Sequence, residues 1–354
     1  MMMRRLFVTA LLLATILSPL SSRLPAAESA RSHVVESGPS DQLVLPPPFS
    51  TRSVAQPARI IAWPNGKMPT APAGFEVSLF ADELENPRNI YILPNGDVLV
   101  MESLRQSGGS RVILLRDAKM SGRPDFRAVF LSRLNMAFGM ALVGARFYVG
   151  NTDGIVVFPY QNGDTKIRRR PEKILDLPSG GHYTRNLIAD AAGKKLYVAV
   201  GSATNVDEQR VDEKDPRRAA ILETNLDGGG MRVFASGMRN PVGMGWEPTT
   251  KSLWTVVNER DGLGDELVPD YLTRVRDGAF YGWPFSYFGQ NEDPRKKGQR
   301  PDLVAKAIKP DFALGSHVAP LGLAFYTGRS FPLRYHGGAF IGMHGSWNRS
   351  NLVG

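Results

Sequence analysis

Short apolar runs that alternate with turn residues dominate the sequence from Gly74 onward. Four segments share one layout, in which a small polar or glycine-containing group precedes an apolar strand, a turn and a second apolar strand. They occupy residues 89–100, 138–149, 186–198 and 241–254, and a fifth start lies at 319–326. Aligned on their second strands, the four segments are 49, 49 and 57 residues apart. A hairpin repeat of this length predicts a radial array of four-stranded blades.

The fold class predicted from this pattern is all-β, and the predicted architecture is a β-propeller. A sandwich whose hairpins recur by chance is the alternative that the spacing leaves open. The two differ in where chemistry collects, because in a propeller the loops of successive blades converge on a central channel. Residues about fifty positions apart in the chain are then expected to meet at one site.

The region before the repeats has two parts. Residues 1–27 are typical of a secretory signal, with Arg4 and Arg5 before an apolar run and small residues after it. A short membrane anchor is the alternative, but the run is too short to span a bilayer stably. Residues 28–73 are predicted to be a proline-rich lead-in, and the propeller domain is assigned to residues 74–354. The protein is therefore expected to be periplasmic or secreted, with no transmembrane span after signal removal.

Composition excludes several classes of function. The 354 residues contain no cysteine, which rules out disulfides, thiolate metal sites, iron–sulfur clusters and covalent c-type haem. The net charge of +9 falls to +6 when Arg4, Arg5 and Arg23 leave with the signal, and the excess is scattered, so no nucleic-acid partner is expected. The sequence lacks a dinucleotide fingerprint, a P-loop, a nucleophile elbow and a zinc-protease motif.

Loop histidines are the first candidates for chemistry. His182, His317 and His344 lie in Gly- or Ser-flanked loops at the ends of predicted strands, although a structural histidine is the more common case. His182 follows two glycines and precedes Arg185 by three residues. An imidazole can abstract a hydroxyl proton and a guanidinium can hold a carboxylate, so this group suits acid–base chemistry on a polar ligand.

An acidic, glycine-containing loop is the second candidate. Residues 258–266 read NERDGLGDE and follow the segment GMRNP at 237–241. Carboxylates and accessible carbonyl oxygens in a short loop suit a hard cation such as calcium. The spacing is not that of an EF-hand, and a solvated acidic turn is the alternative.

Seven motifs occur in the order found in a known family. They are AGFEVSLFA at 73–81 with NPRN at 86–89, GHYTRNL at 181–187, GMRNPVG at 237–243, NERDGLGDE at 258–266, YGWP at 281–284, HVAPLGL at 317–323 and HGSWNR at 344–349. Together they resemble the soluble glucose and sorbosone dehydrogenases that depend on pyrroloquinoline quinone (PQQ), with the sorbosone branch nearer. The resemblance covers residues 74–354.

The resemblance implies a six-bladed propeller that binds PQQ and a calcium ion and oxidises a sugar or sugar aldehyde by hydride transfer to the quinone. His182 would be the catalytic base. Arg239 would stabilise charge on the cofactor, and Asn240 would contact it. The metal residues would be Glu259, Arg260, Asp261 and, less directly, Asp265.

Further cofactor contacts are implied at Asn135, Asn205, His317 and Arg349. Since PQQ carries three carboxylates, Arg185, Arg239 and Arg349 could neutralise them. Electrons would pass to a separate acceptor, a cytochrome or a quinone, because the chain has no cysteine-held relay. The family's chains continue beyond the last loop of this sequence, so the sixth blade is expected to be incomplete. Two other functions stay open: a calcium-dependent lactonase on a similar propeller, and a non-catalytic propeller that binds glycans or proteins.

Overall fold

The computed structural model describes residues 37–57, 59, 63–64, 66–105 and 108–353. The predicted signal and the first part of the lead-in, to residue 36, lie outside the described residues. Strands account for nearly all regular structure in the described part of the chain. The exceptions are one helical turn, α1 (Pro301–Val304), and two 3-10 turns at Ser40–Gln42 and Leu333–Tyr335. The all-β prediction is confirmed.

After a short strand, β1 (Ser37–Pro39), three four-stranded antiparallel sheets follow one another, each built from consecutive strands. The first contains β2 (Pro87–Ile92), β3 (Val98–Glu102), β4 (Ser110–Arg116) and β5 (Phe126–Leu134). The second contains β6 (Gly139–Val143), β7 (Arg146–Asn151), β8 (Gly154–Pro159) and β9 (Glu172–Asp176). The third contains β10 (Arg185–Ala189), β11 (Lys195–Val200), β12 (Ala220–Asn225) and β13 (Arg232–Ser236).

The fourth sheet has a long insertion before its last strand. It is formed by β14 (Asn240–Trp246), β15 (Leu253–Asn258), β16 (Pro269–Arg274) and β19 (Phe312–Ser316), with β1 added outside β19. The insertion contains the hairpin of β17 (Ser286–Tyr287) with β18 (Asn291–Glu292), and then α1. A final antiparallel pair follows, β20 (Pro320–Phe325) with β21 (Ala339–Met343).

The described residues thus form four complete blades, the inserted β17–β18 hairpin and the final β20–β21 pair, not the six blades that the resemblance implied. The four hairpins predicted from the sequence are the first two strands of the four blades, and the fifth start is β20. The propeller prediction is confirmed at this coarser level. The alternative, a sandwich, is excluded because the four strands of each blade follow one another along the chain. In a sandwich, the chain would pass back and forth between two facing sheets.

Side chains alternate between the two faces of each blade. The middle strands are covered on both faces, by neighbouring blades or, on one face of the first blade, by the preceding segment at Ala81 and Leu84. This explains the nearly continuous apolar runs in the middle strands, for example β3 and β7, whereas the outer strand β5 is largely exposed. The core between the first two blades includes Leu99, Phe130 and Phe147, each fully buried. Burial of each such side chain contributes about 2 kcal/mol to folding.

Glycine allows the first strands of successive blades to approach closely. A Cβ atom on Gly139 of β6 would lie 2.4 Å from the carbonyl oxygen of Arg185 in β10, and one on Gly243 of β14 would lie 2.7 Å from the amide nitrogen of Leu323 in β20. Any larger residue would push the blades apart. Asparagine amides join the same seam, for example Asn186 Nδ2 to the Val242 carbonyl at 2.8 Å. The seam fixes the loops at the ends of these strands.

In the described part of the chain, no helix is both long and apolar enough to cross a lipid bilayer.

Candidate functional site

Loops from several blades surround one polar cavity of 310 Å³. Two of these loops are named here: the imidazole loop, residues 178–185, and the acidic loop, residues 258–266. The side chains and backbone that line the cavity belong to His182, Arg239, Asn240, Asn258, Glu259, Asp261, Asp270, His317, Ala319, Gly345, Ser346, Trp347 and Asn348. The structure therefore brings together His182, Arg239 and the acidic loop, the three groups selected from the sequence. Arg239 follows His182 by 57 residues, and the acidic loop begins 19 residues after Arg239.

A larger groove of 920 Å³ lies between the lead-in and the first blade. Its lining is mostly apolar, with Leu79, Phe80 and Ile90 among its residues, and none of the predicted site residues lines it. Catalysis needs convergent polar and titratable groups, so the smaller cavity is the candidate site.

His182 presents one ring nitrogen to the cavity and uses the other to hold its position. Its backbone N–H donates to the Ser202 carbonyl oxygen at 3.0 Å, and its Nδ1 lies 2.8 Å from the same oxygen. A carbonyl oxygen only accepts, so Nδ1 carries the proton and Nε2 has a free lone pair. Gly180 and Gly181, with φ of 84° and 68°, provide the left-handed turn that brings the imidazole there.

The protonation state of His182 also suits a proton acceptor. Burial, and then the positive charge of Arg239, lower the pKa of His182 to about 3. The free imidazole is therefore neutral throughout the physiological range. A bound anion beside it would raise this pKa toward neutrality, where general-base catalysis is most efficient.

Two guanidinium groups hold the imidazole loop from behind. Arg185 is fully buried and donates to the carbonyl oxygens of His182 at 2.7 Å, Thr184 at 2.8 Å and Pro178. Arg218 donates to the carbonyl oxygens of Ser179 and Gly180. Burial, followed by the charge of Arg218, lowers the pKa of Arg185 to about 9.

Arg185 is consequently a residue of the loop framework. It was predicted to neutralise a cofactor carboxylate, but it does not line the cavity, and its donors are directed at main-chain oxygens. The sequence could not distinguish these two uses of an arginine, because both place it three residues after His182.

Arg239 is the cationic centre of the cavity. Its Nη1 donates to the Glu259 carbonyl oxygen at 2.7 Å, its Nη2 lies 3.1 Å from Asp261 Oδ2, and its Nε donates to the Asn205 carbonyl oxygen at 3.2 Å. Arg239 therefore ties the start of β14 to the acidic loop. Asn240 lies beside it, and its Oδ1 is buried without a hydrogen-bond partner among the described residues.

Asn205 hydrogen-bonds to both backbone polar groups of one acidic-loop residue, Asp261. Its Oδ1 accepts from the Asp261 N–H at 2.9 Å, and its Nδ2 donates to the Asp261 carbonyl oxygen at 2.9 Å. Predicted as a cofactor contact, Asn205 does not line the cavity, and both ends of its amide are used in this contact. It positions Asp261.

Three side chains, those of Asn348, His317 and Arg239, surround the carboxylate of Asp261. Its Oδ1 accepts from Asn348 Nδ2 at 2.6 Å and lies 3.7 Å from His317 Nδ1, while Oδ2 faces Arg239. Burial raises the pKa of Asp261, but the hydrogen bond from His317 and the charge of Arg239 outweigh it, so the pKa lies below its ordinary value. The carboxylate is ionised and paired.

His317, predicted as a cofactor contact, does line the cavity. Its Nε2 lies 2.9 Å from the Gly264 carbonyl oxygen. Burial lowers the pKa of His317, but Asp261 and the Gly264 carbonyl more than offset it and raise the pKa above its ordinary value. The two cavity histidines are thus shifted in opposite directions by opposite neighbours.

Asp270 is a site residue that the sequence gave no reason to select. Its Oδ1 accepts from the Glu259 N–H and its Oδ2 from the Ala319 N–H, both at 2.7 Å. It therefore joins the acidic loop to the segment that carries His317. Nothing in the sequence indicated Ser202 either, because it acts through its main-chain oxygen. Asn348 lies inside the motif at 344–349 but was not selected as a site residue.

The remaining predicted residues lie outside the cavity lining. Arg260 is buried beside Asp293, with Nε 3.3 Å from a carboxylate oxygen. Asp265 accepts from the Ser350 N–H and donates its own N–H to Thr51. Arg349 donates to the Ser316 carbonyl oxygen, and Asn135 bonds through its backbone to the second blade at Asn151. These residues support the loops around the site.

Two of the backbone oxygens predicted to bind calcium already accept a hydrogen bond each. The carbonyl oxygen of Glu259 accepts from Arg239, and that of Asp261 accepts from Asn205. In the described part of the chain, no group of three or more His, Cys, Asp or Glu residues is arranged to hold a metal ion. Burial raises the pKa of Glu259 to about 7, and its Oε1 is buried without a partner among the described residues.

The residues that line the cavity are chemically suited to a planar anionic cofactor. Its volume is at the lower end for small-molecule sites, and the residues that line it include one arginine, two histidines and Asn240. A guanidinium suits a carboxylate, and an unpartnered amide oxygen suits an N–H donor. Arg239 and Asn240 are adjacent in sequence and were both predicted to contact the cofactor. Both line the cavity.

A family model and several known proteins match this chain. A family model described as TrAA12-like matches residues 69–270, more than half of the chain. An aldose sugar dehydrogenase of Escherichia coli is 29% identical over 183 residues, which cover 48% of this chain and 46% of the relative. A pyrroloquinoline quinone-dependent sugar dehydrogenase of Hypocrea jecorina is 23% identical over 326 residues, covering 77% of this chain and 74% of the relative.

Among solved structures, the holo form of the pyranose dehydrogenase PQQ domain from Coprinopsis cinerea superposes with a TM-score of 0.68. The match covers 83% of this chain and 79% of that chain at 21% sequence identity. At this identity the likeness establishes the fold, a propeller.

Proposed function

The chain belongs to the TrAA12-like family, and from this premise we propose that it is a PQQ-dependent oxidoreductase that oxidises the C–OH group of a sugar. The observation that carries the proposal is the meeting of His182, with its free Nε2, and Arg239 at one polar cavity. Relatives named as aldose and PQQ-dependent sugar dehydrogenases support the same substrate class.

The chain's own residues divide the work of the reaction. His182 Nε2 accepts the hydroxyl proton of the sugar, because Nδ1 is held protonated by the Ser202 carbonyl. Arg239 and Asn240 would hold the cofactor, the guanidinium opposite a carboxylate and the amide oxygen opposite an N–H group. When bound, PQQ supplies the two-electron acceptor for the hydride that leaves the sugar carbon as its carbonyl forms.

We extend the proposal to calcium at the acidic loop. Each carbonyl oxygen has two lone pairs, so Glu259 and Asp261 keep one acceptor position beside the hydrogen bond each already receives. The unpartnered Glu259 Oε1 adds a further oxygen. A cation there would act as a Lewis acid beside the substrate. Chelation by EDTA should abolish activity, and added calcium should restore it.

Three finer features are part of the proposal. A fifth blade after the four complete ones is supported by β20 and β21, which pair as the first two strands of a complete blade do. Export to the periplasm or medium is supported by the sequence of residues 1–27 and is tested by cell fractionation. A separate cytochrome or quinone acceptor is supported by the absence of cysteine from the chain.

The experiment that tests the function is reconstitution of the purified protein with PQQ and calcium, followed by dye reduction with a panel of aldoses. We expect reduction that depends on both the sugar and PQQ. Hydrolysis of a lactone without PQQ, and no dye reduction, would identify a hydrolase instead. Failure to bind PQQ by a folded protein, shown by absorbance and circular dichroism, would identify a non-catalytic propeller.

A further inference from the structure

A second polar cleft, of 720 Å³, lies on the other side of Asn205 from the site. The Asn205 carbonyl oxygen receives Arg239 from the cavity and the indole N–H of Trp283 at 2.9 Å, and the next residue, Val206, lines the cleft. Phe285, two residues after Trp283, lines its other wall. The backbone of Asn205 and Val206 thus runs from a contact with Arg239 of the site to the lining of the cleft, and this stretch is called the dividing wall.

Lys296 is a buried cation in this cleft, with 7% of its surface exposed. An ammonium group has three N–H donors, and Lys296 uses one, to the Asp207 carbonyl oxygen at 3.0 Å. In the described residues no carboxylate lies within ion-pair distance of it. Buried lysines are rare unless they are paired, since an unpaired charge is costly to remove from water.

The arginines around Lys296 do not share this need, because each has a carboxylate of its own. Arg210 pairs with Glu213 at 2.9 Å, Arg295 with Glu208 at 3.6 Å, and Arg300 with Asp302 at 2.7 Å. With these pairs neutral, the cleft keeps one positive charge, that of Lys296. One charge calls for one monoanionic group.

We propose that this cleft is a subsite for a carboxylate carried by the substrate, so that the enzyme acts on acidic sugars such as those ending in a uronic acid. The inference rests on the proposed function, because it assumes that the reducing end of the same sugar reaches His182. The carboxylate would bind the two free N–H donors of Lys296, and the sugar ring would lie across the dividing wall at Asn205. Such charge-assisted hydrogen bonds are strong in a partly dry cleft.

Two sugars that differ only in this group provide the test: cellobiose, and cellobiouronic acid, which has a carboxylate on its non-reducing ring. For the reconstituted protein we expect kcat/KM for the acidic sugar to exceed that for the neutral one by about tenfold. In Lys296→Met the ratio should fall to near one. In Lys297→Met, which removes the exposed neighbouring lysine, it should stay at the wild-type value. Equal kcat/KM for the two sugars in wild type, or a preference that survives Lys296→Met, would overturn the inference.

A binding measurement separates this inference from the proposed function. Calorimetric titration of the full chain with glucuronate and with glucose needs no turnover, so it gives an answer even if no sugar is oxidised. We expect glucuronate to bind more tightly to wild type and Lys297→Met than to Lys296→Met. Because Lys296→Met removes an unpaired buried charge, its free energy of unfolding should equal or exceed that of wild type. A destabilised Lys296→Met would assign the lysine a structural role and contradict the subsite.

Discussion

The two loops that face each other across the cavity are fixed in different ways. The imidazole loop is held through its main chain, because Arg185 and Arg218 donate to five of its carbonyl oxygens from outside the cavity. The acidic loop is held by Arg239, which lines the cavity, and by Asn205, whose carbonyl oxygen accepts from Arg239. Damage to the first support should therefore be measured mainly as lost stability, and damage to the second mainly as lost activity.

Among changes to the residues that hold the two loops, the largest effect is expected on the acidic-loop side, from Arg239→Met. This change removes three contacts to the loop region and leaves the Asp261 carboxylate without its guanidinium partner. Loss of one partner of a buried charge pair is costly, so kcat/KM for a sugar should fall by about a hundredfold or more. Steady-state dye reduction measures this. Arg232→Met, at the start of β13, provides the control because its guanidinium contacts Glu223, Asp277 and the Phe234 ring and does not line the cavity.

Arg185→Met tests the imidazole-loop side and should act on stability. Three carbonyl oxygens lose their donor, but the cost of keeping a guanidinium buried, visible in its lowered pKa, is recovered. The net loss in the free energy of unfolding should be about 2 kcal/mol by urea denaturation. A variant of wild-type stability with a large loss of PQQ affinity would restore the original prediction that Arg185 contacts the cofactor.

The imidazole-loop side should also show its own pH dependence, through Asp212. Its Oδ1 accepts from the Ala203 N–H, next to the residue that holds His182, and burial raises its pKa from 3.8 to about 6. The folded state thus binds this proton more tightly than the unfolded state, so stability should fall as pH rises from about 4 to about 6. Above pH 6, Asp212→Asn should be more stable than wild type by about 2 kcal/mol, and at pH 4 the two should agree. Urea denaturation across this range measures the difference.

The smallest effect is expected from Asn205→Asp. This change keeps the oxygen that accepts from the Asp261 N–H and replaces the amide that donates to its carbonyl. The acidic loop should loosen without unfolding, and kcat/KM should fall by about tenfold. If melting temperature fell while kcat/KM stayed constant, the contrast between the two loops would be wrong.

Much of the fold followed from the sequence, because hairpins with marked turns and a regular period are local features. The first two strands of each blade were predicted where they occur, for instance 186–198 for β10 and β11. The number of blades was not, since six came from the resemblance and the described residues form four complete blades and the final β20–β21 pair.

The sequence identified several residues that line the cavity, but it did not indicate which atoms each predicted residue would contact. His182, Arg239, Asn240 and His317 line the cavity as the motifs implied. Arg185 lies in the motif that contains His182, and Asn205 lies outside the seven motifs. Both bond to main-chain atoms, and which atoms those are depends on loop conformations that residue types do not encode. Asp270 left no signal at all, because a single aspartate in a strand resembles any other.

The central claim is that His182 removes the proton from a sugar held beside the cofactor that Arg239 binds. The most direct test is the rate of dye reduction by His182→Ala loaded with PQQ to the same absorbance as wild type, with the exposed His336→Ala as control. The account predicts a fall in kcat of about a thousandfold for His182→Ala and none for His336→Ala. Wild-type kcat in a fully loaded His182→Ala would contradict it.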